Sequence, residues 1–369
     1  MSITSKSRKN VLNTQTILPP KIYRLNYIGS KFQLLDWLSE NILAKTGWDS
    51  FMNKTVGDIF AGTGVVSYHF RTSGATVLSN DAELYSYIIT HAFTRSVYTD
   101  ICKQLITDLQ RELDENMHSA ADGYITHHYS PRGEAQRRFF TEDNARRIDY
   151  MRGRIESIRQ TITDDEYRFL LASLIISADA VSNVPAVYGC FLKNFKAKAT
   201  KPLVLRPVHT TTELIQSMSG TSNLDVLCPE LLQKFGGADM VYLDPPYNER
   251  QYSKNYFPLN MIAKTPEQLV LEEPLKGKTG IPTDCFISPF CKKGATVEAA
   301  FDTVFRELNA QWIFLSYNSE SIVPKNRMLE LMGKYGDVSV VERDYKRFKS
   351  YEYNQDAPIQ EYLFCMKKK

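Results

Sequence analysis

The sequence predicts an α/β fold, a doubly wound sheet of mostly parallel strands interrupted by a long and largely helical insertion. Three observations carry that prediction. Short apolar runs alternate with helical patterns near the start of the chain and again near its end. The first run closes on a glycine turn, Phe60-Ala61-Gly62-Thr63-Gly64. The alternation then breaks off and resumes only at Met240-Val241-Tyr242-Leu243. A chain of 369 residues has room for one large core and a second, smaller lobe.

Taken in order, residues 1–20 are polar, carry Lys6, Arg8 and Lys9, and end in Pro19-Pro20, so they are expected to form a mobile arm. From Lys31 the apolar positions Phe32, Leu34, Leu35, Leu38, Ile42 and Leu43 recur at helical spacing and stop near Gly47. Val56 to Phe60 reads as a buried strand, Val65 to Arg71 as a helix, and Thr76 to Ser79 as the next strand, which together make a βαβ unit. Residues 83–118 and 142–180 are mostly helical in pattern, separated by a polar, aromatic stretch at 121–141, and 181–235 is loop-rich. After Met240 to Leu243 come a helix around 296–309 and a strand at Trp312 to Tyr317. Val338 to Val341 and Glu361 to Met366 suit an antiparallel pair at the sheet edge, joined by the basic, aromatic segment 343–353. The expected division is an arm at 1–20, an α/β domain at 21–100 and 236–369, and an inserted domain at 101–235.

Composition excludes several classes. Apolar residues at 43% and charged residues at 24% are ordinary for a globular protein and argue against wholesale disorder. The six cysteines are scattered without a CxxC pair and read as reduced thiols in a cytoplasmic protein. No apolar run reaches the roughly 18–20 residues of a membrane span, and the start of the chain has no apolar signal-peptide core. His127-His128 is read as loop residues rather than as metal ligands, and no metal is assigned. Net charge is only +3, but 193–206 holds Lys193, Lys196, Lys198, Lys201 and Arg206 with no acid, and 132–159 holds eight arginines against five acids.

Two sites carry chemistry. In the first, the glycines of Phe60 to Gly64 let backbone pass close to a ligand, and the helix that follows offers unsatisfied N–H groups. Asp81 ends the next strand, where an acid can accept both hydroxyls of a ribose; it also suits a helix N-cap. The third glycine of the dinucleotide fingerprint is missing, which favours a nucleoside cofactor without a pyrophosphate. In the second site an apolar strand ends in Asp244-Pro245-Pro246-Tyr247. Four specified residues recur by chance in such a chain only about twice in a thousand, so the tetrad is read as chemistry. The prolines donate no N–H and fix φ, leaving acceptors beside an aromatic ring. Such a pocket suits an exocyclic aromatic amine. Its two N–H groups would donate to the Asp244 carboxylate and the Pro245 carbonyl, localising the nitrogen lone pair toward a methyl sulfonium, while Tyr247 stacks on the base. The base has to leave its duplex to get there.

With these motifs in hand, the chain resembles the Dam-like, D12-class N6-adenine DNA methyltransferases of the restriction–modification type. Tyr27-Ile28-Gly29-Ser30-Lys31, Phe60 to Gly64, Asp81 and Asp244 to Tyr247 stand in that family's order, over about residues 22–95 and 238–320. The segment Asn248-Glu249-Arg250-Gln251-Tyr252 with Asn255-Tyr256 adds likeness to a restriction–modification subgroup.

The resemblance implies a Rossmann-like methyltransferase sheet, S-adenosylmethionine as cofactor, and double-stranded DNA as partner, with a cognate endonuclease acting at the same site. It implies cofactor contacts from Tyr27, Gly29, Lys31, Phe60, Gly62, Gly64, Asp81 and Asp244. The insertion corresponds to the family's target-recognition region. Arg137, Arg138, Lys193, Lys196 and Lys198, with Arg250 beside the tetrad, are taken as DNA contacts, although Arg137, Arg138, Arg146 and Arg147 suit a solvated helix face equally well. N4-cytosine methylation uses a similar pocket, and Asp rather than Ser before the prolines favours adenine. The rival from another class is a catalytically silent DNA-binding protein on the same fold, against which stands retention of Lys31, Asp81 and the whole tetrad.

Overall fold

The computed structural model describes residues 21–213, 219–272, 277–345 and 359–369. The expected N-terminal arm and most of the 343–353 connection lie outside the described residues. A 3-10 turn at Lys31–Leu34 leads into α1 (Leu35–Thr46), which buries Leu38 and Ile42 four residues apart. It ends at Gly47, whose left-handed φ of 73° lets its N–H reach the Leu43 carbonyl at 2.9 Å.

The βαβ unit follows as β1 (Thr55–Asp58), α2 (Val65–Thr72) and β2 (Thr76–Asn80), then α3 (Leu84–Arg95). The insertion supplies α4 (Asp100–Asn116), α5 (Tyr124–Tyr129), α6 (Glu142–Ser157) and α7 (Asp164–Ala180). Three of its four helices open on a threonine N-cap: Thr99, Thr141 and Thr163, the last in a capping box with Glu166. The sheet resumes with β3 (Gly220–Ser222), α8 (Pro229–Lys234), β4 (Met240–Leu243), α9 (Tyr252–Ala263), α10 (Pro266–Val270) and α11 (Ala295–Glu307). It closes with β5 (Trp312–Asn318), α12 (Lys325–Gly333), β6 (Gly336–Tyr345) and β7 (Ile359–Lys368).

The strand order is β3-β2-β1-β4-β5-β7-β6. The first five strands are parallel, and β7 lies antiparallel between β5 and β6, the edge pair expected from the sequence. Order runs outward in both directions from the β1–β4 junction, so the crevice at the carboxyl ends of those two strands is where the topology puts a ligand.

Side-chain alternation sorts the core into layers. Met240 and Tyr242 pack with Leu38, Val66, Val77 and Leu363 on the α1/α2 face. Val241 and Leu243 pack with Leu231, Phe301, Ile313 and Met328 on the α8/α11/α12 face. A third cluster joins Ile89 and Phe93 of α3, Phe169 and Ile175 of α7, and Phe257 of α9.

That third cluster changes the domain picture. The insertion shares one core with α3 and α9 and is not a separately packed lobe. The boundary set at 235 also falls too late, because β3 pairs with β2 and α8 covers the sheet, so the chain has returned to the α/β layers by Gly220. His127 and His128 sit on α5 rather than in a loop. The helix escaped the periodicity because its first turn is fastened by a distant acid: Asp149 of α6 accepts from the N–H groups of Ile125 and Thr126 and from the Thr126 hydroxyl.

Candidate active site

A cleft of about 1160 Å³ opens at the carboxyl ends of β1, β2 and β4. Its walls include Tyr27, Lys31, Gly62, Asp81, Asp244, Tyr247 and Glu361.

The glycine turn is bent tightly. Gly62 and Gly64 take φ of 52° and 73°, which only glycine adopts freely, and the Gly64 N–H closes the turn on the Ala61 carbonyl at 2.8 Å. A methyl group on Gly64 would stand 2.9 Å from both the Phe93 ring and the Thr90 hydroxyl, so this glycine also lets α2 approach α3. Asp81 anchors the turn from β2: one carboxylate oxygen accepts from the Gly62 N–H at 2.7 Å, the other from the Glu83 N–H at 2.8 Å. A carboxylate has about four lone-pair sites, so Asp81 retains acceptor capacity beside these donors and the Ser86 hydroxyl, and the ribose and capping readings of Asp81 are compatible. Burial raises the Asp81 pKa, and the two N–H donors oppose the rise.

The Tyr27–Lys31 segment is strapped over the cleft from two sides. The Asn26 N–H donates to Asp179 of α7 at 2.9 Å, and the Ile28 N–H donates to the Tyr256 hydroxyl of α9 at 3.0 Å. Tyr27 stacks on Tyr256 with ring centres 4.6 Å apart, and its ring lies 3.4 Å from where a Gly62 side chain would begin. It is therefore a packed aromatic and a cleft wall at once.

At the second site Lys31 and Asp244 meet directly. The ammonium is buried and lies 3.0 Å from the Asp244 carboxylate, 3.5 Å from the Glu361 carboxylate and 3.1 Å from the Gly29 carbonyl. It also sits over the Tyr247 ring, 4.5 Å from its centre. The Tyr247 hydroxyl donates to Glu361 at 2.8 Å, and its ring packs edge-on with Tyr317 of β5. Lys31 thus covers one face of the ring. Burial works against the Lys31 ammonium, but the two carboxylates outweigh it and leave its pKa above the ordinary lysine value. Burial raises Asp244 and Glu361, while Lys31 pulls both back down.

Sequence reasoning missed two acids here. Glu361 starts the run Tyr362 to Met366, in which both strand faces are buried; an acid leading such a run was the available signal. Glu83 is buried on the cleft wall, where Asn260 of α9 donates to it at 2.7 Å and the Ser253 hydroxyl also donates. Burial pushes its pKa up to about 7. It links the loop after Asp81 to α9, and nothing in its local sequence marks it.

The basic residues assigned to DNA separate into two groups. Arg137 is a correction: it is 3% exposed and donates to the carbonyls of His128, Gly277 and Lys278, so it braces the interior. Arg138, between α5 and α6, donates to the Lys193 carbonyl in the loop after α7, and Lys196 donates to the Val184 carbonyl within that loop. Arg146 bridges to Asp122, and Arg147 to Asp114 and Asp143. Lys193 is exposed, while Lys198 and the exposed Arg250 line the cleft. Arg24, unmarked by any motif, joins them there with its guanidinium 3.5 Å from the centre of the Phe32 ring.

Comparison with known proteins decides the family. Residues 27–331 match the D12 class N6 adenine-specific DNA methyltransferase family. The chain belongs to that class. Among its relatives, the Type II methyltransferase M.CviAII of Paramecium bursaria Chlorella virus 1 is 38% identical over 341 residues, covering 92% of this chain and 98% of that one. The Type II methyltransferase M.NlaIII of Neisseria lactamica is 36% identical over 332 residues, covering 88% and 93%. The Type II methyltransferase M.FokI of Planomicrobium okeanokoites is 30% identical over 355 residues, covering 93% of this chain and 53% of that one.

The sheet order, the glycine turn and Asp81 fit the S-adenosylmethionine that serves D12 methyltransferases as methyl donor. Among the described residues, no helix is long and apolar enough to cross a membrane.

Proposed function

We propose that this D12-class enzyme methylates N6 of an adenine turned out of duplex DNA at a specific sequence, as the protective methylase beside an endonuclease of the same specificity. The observation that carries the reading is the meeting of Asp244, Lys31 and Tyr247 in one cleft at the sheet's switch point. When bound, S-adenosylmethionine supplies an electrophilic methyl group on a sulfonium.

The protein's own residues do the rest. The Asp244 carboxylate and the Pro245 carbonyl accept from the target amine, favouring a pyramidal nitrogen with its lone pair aimed along the line of attack. Tyr247 stacks on the base, which offsets part of the few kcal/mol that extrusion costs. Pro245 and Pro246 stiffen the turn, so the acceptors need little reorganisation. Tyr27, Gly29, Lys31, Phe60, Gly62, Gly64 and Asp81 form the cofactor side of the cleft. Lys193, Lys198, Arg250 and Arg24 face the duplex, where lysine and arginine act on phosphates in any sequence and only arginine can fork onto guanine.

The test is nucleoside analysis of duplex DNA incubated with the enzyme and S-adenosylmethionine. N6-methyladenine is the expected product. Appearance of N4-methylcytosine alone, or transfer to RNA but not duplex DNA, would overturn the proposal.

A further inference from the structure

We infer that Glu361 is a positioning residue for methyl transfer, holding the Lys31 ammonium against Asp244 and tethering the Tyr247 hydroxyl so that acceptor and stacking ring are set before the base arrives. The inference rests on the proposal that Asp244 and Tyr247 receive the base.

Topology explains how a residue so late in the chain reaches the site. β7 runs antiparallel to β5, with Glu361 opposite Asn318, the last residue of β5. The start of β7 therefore lies beside the carboxyl ends of the parallel strands, where Asp244 follows β4. By strand alternation Glu361 shares its face with Leu363 and Cys365, which pack on the α1 side of the sheet. Lys31 comes from that same side, in the turn that opens α1.

Geometry then gives the carboxylate two tasks. One oxygen of Glu361, itself only 3% exposed, accepts from Tyr247 at 2.8 Å and lies 3.5 Å from the Lys31 ammonium. Without it, Lys31 would keep Asp244 and the Gly29 carbonyl as its partners, and the half-buried Tyr247 hydroxyl would lose its 2.8 Å acceptor and turn to Asp244, the carboxylate meant for the target amine. A buried cation with one counter-ion is free to swing toward it. With two it is held between them, and its place over the Tyr247 ring is fixed.

Charge points the same way. Two carboxylates face one ammonium in a mostly buried cluster. With Glu361 sharing the Lys31 ammonium, the Asp244 carboxylate would keep more of its negative charge for the amine on which positive charge develops.

The test compares Glu361→Gln and Glu361→Ala in the full chain. Gln keeps an acceptor for Tyr247 and removes the charge; Ala removes both. Three quantities are measured: kcat and KM for duplex DNA, thermal stability, and the fluorescence of a duplex carrying 2-aminopurine in place of the adenine that wild type methylates. For Gln we expect kcat to fall about 10–100-fold, the scale for misplacing a reacting group by about 1 Å, with KM within about twofold and fluorescence like wild type. For Ala we expect the same loss together with altered fluorescence, because the ring is untethered.

Wild-type kcat in both variants would overturn the inference while leaving the parent proposal standing. Losses in both that only follow thermal unfolding, with fluorescence unchanged, would also overturn it. Failure of wild type to methylate adenine would instead remove the parent proposal.

Discussion

Replacing Lys31 by methionine removes the cation between two buried carboxylates and keeps the length of the side chain. The side chains of Lys31 and Glu361 are each 4% exposed and that of Asp244 17%, so water can do little to compensate. Breaking a buried pair by removing one partner costs about 3–5 kcal/mol. Asp244 faces the cleft, which puts the expected loss near the lower end, about 3 kcal/mol at slightly alkaline pH.

That loss depends on pH. Burial already raises the pKa of Asp244 and Glu361, and Lys31 is what restrains them; without it both rise further. An acid with a higher pKa folded than unfolded keeps its proton longer in the folded state, so the variant's stability falls as pH climbs from the unfolded value to the folded one. About one unit above an ordinary carboxyl pKa, near pH 5, the penalty for a protonated carboxyl is only about 1 kcal/mol. Urea unfolding of both proteins near pH 5 and near pH 8 should therefore show a gap that widens about threefold with pH. An equal gap at both values, or none, would refute the account of Lys31 as a buried counter-ion.

Other outcomes follow from the same geometry. Gly64→Ala combines a left-handed backbone, about 1–2 kcal/mol, with a methyl group 2.9 Å from Phe93 and Thr90, whose overpacking costs about 1–3 kcal/mol; the urea midpoint should fall with the slope unchanged, and an unaltered midpoint would contradict the packing argument. Arg137→Met should lower thermal stability by about 2–4 kcal/mol, since buried carbonyls lose their donors, and leave the salt dependence of DNA binding alone. Lys198→Ala should do the reverse, reducing the slope of log K against log salt by about 0.9; the opposite pattern would exchange their roles. Glu83, with a folded pKa of about 7, is more stable protonated, so it should account for about 3 kcal/mol of a fall in wild-type stability between roughly pH 4.5 and 7. Glu83→Gln should remove that contribution in a pH series of unfolding curves and leave the drop due to Asp58, which burial also raises to about 7 and which is at least as large; an unchanged pH series would contradict the burial of an ionisable Glu83.

The parts of this molecule legible in sequence are those whose determinants are local. The glycine turn, Asp81 and the Asp244–Tyr247 tetrad each declare themselves within a few residues of a strand end, and the structure brings them into one cleft. Strand positions were readable because both sheet faces are covered, which makes short apolar runs unmistakable. What stayed hidden depends on distant partners. Glu361 acquires its role from Lys31 and from Tyr247, 114 positions earlier in the chain. Arg137 looks like any arginine in a basic stretch until the carbonyls of Gly277 and Lys278 enclose it. β3, three residues long and lying beyond the insertion, is a strand only because β2 offers it an edge. The insertion read as a separate domain because periodicity shows that a helix has an apolar face but not that α3 and α9 cover it.

Central to the whole account is Asp244 as the acceptor that prepares the target amine. The direct measurement is single-turnover methyl transfer to duplex DNA by Asp244→Ala, with DNA affinity determined on the same preparation. Transfer should fall by at least the roughly 10²–10³-fold that loss of one preorganised hydrogen-bonding group costs, with affinity close to wild type. An Asp244→Ala enzyme that transfers methyl groups at the wild-type rate would contradict it.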